Sequence, residues 1–336
     1  MVERHKSTSM ENEQAPLLSL RMKNSLSGCS CKIGADDAVD ILRVMISQEP
    51  VYQCRDYLGR RETKAHGDSF LESSYDDTSL EGDDGVDITC REKMCEWSYR
   101  VCDHFHTNRE IVALSFSFLD RFIDRYSCDR TAFKLASMTT LFMATKFLNA
   151  KQISIISLAE LSRGEFGMSH LAEMERLILE ALEWRLCPPT LQSYVGYLLA
   201  LLPIEDSGLA RRIYQRAVFF GELCVYDYTF VTQERPALAV ACILSALEGM
   251  DDEHLSQELQ RCFLDTILLE LSLEFPVDEL EKCQGRLWYL YSCSAQVQED
   301  DILPIHVSEE RLVKYRSEQH SSDVDGHSPV SVNLQH

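Results

Sequence analysis

The sequence predicts an all-α protein built from two consecutive five-helix bundles, and three observations carry that prediction. Helix breakers are scarce, with 14 glycines and 9 prolines in 336 residues, against a usual glycine share of about 7%. After residue 90, apolar residues recur with the 3.6-residue period of a helix. The pattern also repeats: five helical stretches, a Pro188-Pro189 break, then five more.

Taken in order, residues 1–35 are polar and expected to be disordered. Asp36 can cap a helix over about 37–48, whose apolar residues include Val39, Leu42 and Met45. Its separation from the main body suggests that it docks on something. Residues 36–90 hold this helix and then, from residue 66, an acidic linker without Lys or Arg that reads as solvated and mobile.

The first block, residues 91–189, opens with a helix over about 91–105 (Met94, Trp97, Val101, Phe105). Thr107 to Glu110 fits a capping box for a second helix, about 109–126, apolar on more than one face. A third, about 131–147, is apolar nearly all round, as expected of a central helix. Ser157 to Glu160 fits a capping box for a short fourth helix, and a fifth covers about 170–184. The second block, residues 190–293, shows helical stretches at about 190–202, 208–226, 236–248, 255–273 and 277–293. Pro236 and Pro276 stand where a first helical residue would. Residues 294–336 form an acidic tail, expected to be disordered.

Charge and cysteine usage narrow the function. The net charge is −21, which disfavours direct nucleic-acid binding, because displacing counterions needs a basic surface. The 13 cysteines include no Cys-x-x-Cys pair and read as free thiols in a reducing compartment. Met1 to Gln14 lacks the apolar core of a secretory leader. The longest uncharged run, Leu186 to Ile204, is interrupted by prolines and reads as a soluble core helix, so no membrane association is expected. Nucleus and/or cytoplasm is the expected location.

Several segments of the first block resemble the cyclin family. Cys90-Arg-Glu-Lys-Met-Cys-Glu-Trp97 is similar to the start of a cyclin box. Phe118-Leu-Asp-Arg-Phe122 resembles the family's Asp-Arg-Phe signature, and Ala144-Thr-Lys-Phe147 its Ala-Ser-Lys-Phe. Leu182-Glu-Trp-Arg-Leu186 follows Glu173-Met-Glu-Arg176 as in the family's fifth helix. Five positions that most cyclins hold then fall on Arg91, Asp120, Leu135, Lys146 and Glu175, in family-like spacing. The resemblance is firm over about 91–190, moderate over 36–58, and over 190–293 rests mainly on the helix pattern.

The resemblance implies the cyclin fold and a regulatory subunit that binds and allosterically activates a cyclin-dependent protein kinase in cell-cycle control. It implies a buried structural ion pair, Arg91 with Asp120. It implies a kinase-binding groove with Lys146 and Glu175 at its mouth, walled by exposed Leu135, Phe147 and Ile178. It also implies a substrate-docking patch centred on Trp97 with Met94. There the sequence departs from the family. Arg100 stands where an acidic residue receives the basic end of docking peptides, and Lys134 replaces a glutamine, so the patch is expected to be more basic. Leu148 and Asn149 replace two glutamates common after the lysine. The alternative is a cyclin-fold adaptor or transcription-related scaffold that binds proteins without activating a kinase.

No enzymatic motif competes. Asp83-Asp-Gly-Val-Asp87 matches a magnesium-binding motif of helical prenyl-diphosphate enzymes but sits in a Gly/Ser/Asp linker, without the helix that would converge its carboxylates. Cys102 and His106 are four apart, but His104 points elsewhere. Neither a Gly-rich phosphate loop nor a nucleophile elbow occurs. The expectation is no catalytic residue, no metal and no cofactor.

Overall fold

The structure, a computed structural model, describes residues 34–59, 85–148, 153–250 and 253–294, with helix but not side chains at 253–254. Eleven α-helices and one 3₁₀ turn make up the described residues, and no strand occurs among them beyond an isolated Gly85–Asp129 bridge. The helices are α1 (Ala35–Tyr52), α2 (Ile88–His104), α3 (Glu110–Arg125), α4 (Arg130–Phe147), α5 (Ile155–Leu161) and α6 (Met168–Ala181). They continue with α7 (Leu191–Leu199), α8 (Ser207–Tyr226), α9 (Arg235–Glu248), α10 (Glu253–Leu271) and α11 (Val277–Cys293). Helices α2–α6 form one bundle and α7–α11 the other, each around its own apolar core. The tails and most of the acidic linker lie outside the described residues.

The first bundle is built on α3 and α4. Twelve of the sixteen residues of α3 are buried, which matches its several apolar faces. Buried α4 carries Ser137, Thr139 and Thr145, and each hydroxyl donates to the carbonyl four residues back, at 2.7–2.8 Å. That local bond lets a hydroxyl enter a core without an outside partner. In the second bundle α9 is the inner helix, with eleven of fourteen residues buried. Pro236 stands at its N-terminal turn, where a missing N–H costs nothing.

Two expected caps are corrected. Thr107 does not open α3; its hydroxyl donates to the Cys102 carbonyl at 3.2 Å, while Asn108 Oδ1 accepts from the Glu110 N–H. Glu110 is buried and accepts from Thr190 Oγ1 at 2.9 Å across the diproline break. Helix α5 is capped by Ser154, which accepts from the Ser157 N–H, so the expected cap lay one turn late.

Helix α1 is longer than predicted and is not an outlier. It runs through Pro50 to Tyr52. Ala38, Val39, Leu42 and Met45 enter the core of the second bundle. The chain after it turns to the first bundle, where Cys54, Tyr57 and Leu58 join the other core. The N-terminal segment thus ties the two bundles together.

Candidate functional site

The outward site lies on α4 and α6. Lys146 is in the last turn of α4, and its Nζ donates to Glu175 Oε1 on α6. The side chains keep 38% and 21% of their exposure. Lys146 also sits over the Phe142 ring, 4.4 Å from its centroid. An ammonium with one donor committed still has donors to offer, and Glu175 Oε2 is still an acceptor.

The apolar surroundings need one correction. Leu135 and Phe147 are partly exposed and pack against the first core. Ile178 is fully buried, because it continues the inward stripe of Leu171, Met174 and Ala181. It supports the site from within and offers no surface. The exposed large apolar side chains on α5 and α6 are Ile156 (56%), Leu161 (38%), Met168 (51%) and Leu177 (40%). An apolar residue beside a stripe position sits about 100° round the helix, outside the buried face. That geometry could have singled out Leu177.

Arg91 and Asp120 meet in a doubly hydrogen-bonded pair, Nε to Oδ1 and Nη2 to Oδ2, both 2.9 Å. Both residues are buried. Arg91 Nη1 also donates to the carbonyls of Val225 and Tyr226, each at 3.0 Å. These are end carbonyls of α8, which lack partners inside their own helix. Tyr57 donates to Asp120 Oδ1 at 2.9 Å. Burial first, and then Asp120, push the Tyr57 hydroxyl well above its usual range, so it remains a donor. The pair therefore joins both bundles and the N-terminal segment. Sequence pattern shows none of these added partners, because contacts 63 to 135 residues apart leave no periodic trace.

Met94 and Trp97 are half-buried on α2. Arg100 pairs with Glu96 at 2.9 Å, and Lys134 with Glu165. Each added charge has its own counter-charge, so the patch is less basic than side-chain counting predicts. Cys102 is buried in the first core, and burial raises its thiol to about 11. His106 lies beyond the end of α2 at φ 50°. Among the described residues no group of three or more His, Cys, Asp or Glu is placed to hold a metal, and no helix is long and apolar enough to cross a membrane.

Comparison with known proteins shows what the chain is similar to. The model of the cyclin N-terminal domain matches residues 63–187. G1/S-specific cyclin-D1 of Mus musculus is 23% identical over 224 residues, covering 67% of this chain and 75% of the mouse protein. G1/S-specific cyclin-D2 of Mus musculus is 25% identical over 206 residues, covering 61% and 71%. Among solved structures, a viral cyclin from herpesvirus saimiri aligns at 20% identity and TM-score 0.46, over 57% of this chain and 88% of that one. The CAK complex of Chaetomium thermophilum bound to ATP-γ-S aligns at 17% and TM-score 0.41, over 95% and 99%. Residues 63–187 are thus similar to a cyclin N-terminal domain, within an all-helical chain.

Proposed function

We propose that this chain is a cyclin, the regulatory subunit of a cyclin-dependent protein kinase, which it binds and activates allosterically in cell-cycle control. The observation that carries the reading is the half-exposed Lys146–Glu175 pair, in family register on adjacent helices. Lys146 donates to backbone carbonyls of the kinase and Glu175 accepts from its backbone amides, groups that lack partners where a helix end is displaced. The exposed apolar side chains of α4–α6 supply the dry part of the interface. Docking moves the kinase's C-helix inward, completes the ion pair that positions ATP, and orders the activation segment. The chemistry belongs to the kinase, and the pair works in the nucleus and/or cytoplasm. Substrates of the complex dock at Met94 and Trp97.

The test is the double variant Lys146→Ala/Glu175→Ala. Both groups reach solvent in the free chain, so helicity and melting should change little. Capture of cyclin-dependent kinases, and their activation, should be lost. Capture equal to wild type would sink the groove assignment. Capture without activation, by wild type, would favour an adaptor.

A further inference from the structure

A cavity of about 80 Å³ lies between the bundles, bordered by α3, the diproline segment and the start of α9. That is several times the ~15 Å³ one water needs. Its charged lining is unbalanced: Arg91, Arg121 and Arg235 against Glu49 and Asp120. Asp120 is committed to Arg91, and Glu49 to Arg235, at 3.1 Å. Arg121 has no carboxylate within ion-pair distance among the described residues, although it is buried.

Its bonds show how it is held. Arg121 Nε donates to the Ser117 carbonyl at 2.9 Å and Nη2 to the Arg185 carbonyl at 3.0 Å. Arg235 Nη2 reaches the hydroxyl of the same Ser117, at 3.3 Å. One serine thus gathers two guanidinium groups, one from each bundle. Arg121 stacks on the Tyr52 ring, 5.1 Å from its centroid. Its Nη1 has no acceptor among the described residues. Leaving a cation out of water without a counter-charge is costly. Burial, and then the field of Arg235, lower this guanidinium to about 10.

We infer that this cavity is a binding site for a small oxyanion, of phosphate or carboxylate type, held by Arg121 of the first bundle and Arg235 of the second. Planar guanidinium forks match such oxygens in geometry and charge. The anion supplies the missing negative charge and clamps the bundles together. Gln233 is an exposed residue on the cavity's edge, and a carboxylate introduced there would compete with the anion.

The full chain is melted in phosphate, acetate and chloride at matched ionic strength. Phosphate or acetate should raise the melting midpoint with the logarithm of its concentration above Kd, by about 5 °C at a hundredfold excess. Chloride should not. Arg121→Gln should lose the response, while the exposed Arg211→Gln, which does not line the cavity, should keep it. If Arg121→Gln does not fold, Gln233→Glu serves: it should melt higher than wild type in chloride and ignore added phosphate. A response equal for all three salts would overturn the site. So would a phosphate or acetate response that survives Arg121→Gln, or survives Gln233→Glu.

Discussion

The Asp120 carboxylate answers to Arg91 twice and to Tyr57. Asp120→Ala should destabilise the protein by about 3–5 kcal/mol, because it leaves a buried guanidinium without its carboxylate. Urea unfolding at fixed pH measures it. A midpoint within error of wild type would mean that the α8 carbonyls alone satisfy Arg91. The neighbouring Arg100 carries the second prediction at this scale. With an arginine in place of an acid, the Trp97 patch should bind basic-aliphatic docking peptides weakly, and Arg100→Glu should strengthen them, more at low salt than at high. Glu96, which now pairs with Arg100, would be released to help. Peptide titration of both chains decides it; tight binding by wild type, unchanged in the variant, would show that the patch is misassigned.

Among the elements, α1 and the segment after it show what pattern can and cannot reveal. Periodicity predicts the helix, since Val39, Leu42 and Met45 share a face, and both bundles are legible in the same way. The destination of that face is not legible, because any apolar stripe fits any apolar groove. The same limit applies to Ile178 and Leu177: both are apolar and adjacent, and only packing separates the buried one from the exposed one. Capping boxes failed for a local reason. Several hydroxyl and amide residues cluster before α3 and α5, and each can reach a free N–H, so spacing alone does not choose between them. The family register singled out Arg91, Asp120, Lys146 and Glu175, but carries no sign of Tyr228. Its hydroxyl accepts from the Tyr57 and Leu58 N–H groups at 3.0 and 2.9 Å and donates to Asp56 at 2.8 Å. Tyr228→Phe should cost about 2 kcal/mol, as partly buried amides lose their acceptor. Hydrogen exchange at Tyr57 and Leu58 should speed up while α9 stays protected; unchanged exchange there would refute the tether.

For the whole molecule, the joint between bundles is polar and titratable. Glu222 of α8 meets Arg109 at the head of α3, Oε2 to Nε 3.0 Å, and Arg109 lies over the Tyr99 ring at 4.6 Å. Burial pushes the Glu222 carboxyl up to about 7, with Asp103 acting in the same direction and Arg109 against. A folded-state pKa above the unfolded value of 4.5 means that the native protein keeps a proton the unfolded chain has already shed. Across that window the unfolded state binds fewer protons, so stability from this group falls as pH rises from about 4.5 to about 7, and is level above. The side chain keeps 22% of its exposure, which holds the expected loss to about 2 kcal/mol. Glu222→Gln mimics the protonated form. Its stability should equal that of wild type near pH 4.5 and exceed it at pH 8, with the gap opening between. Unfolding free energies measured in parallel across that range give the answer. Two curves that stay parallel would mean that Arg109 holds the carboxylate ionised throughout, and that the joint is indifferent to pH.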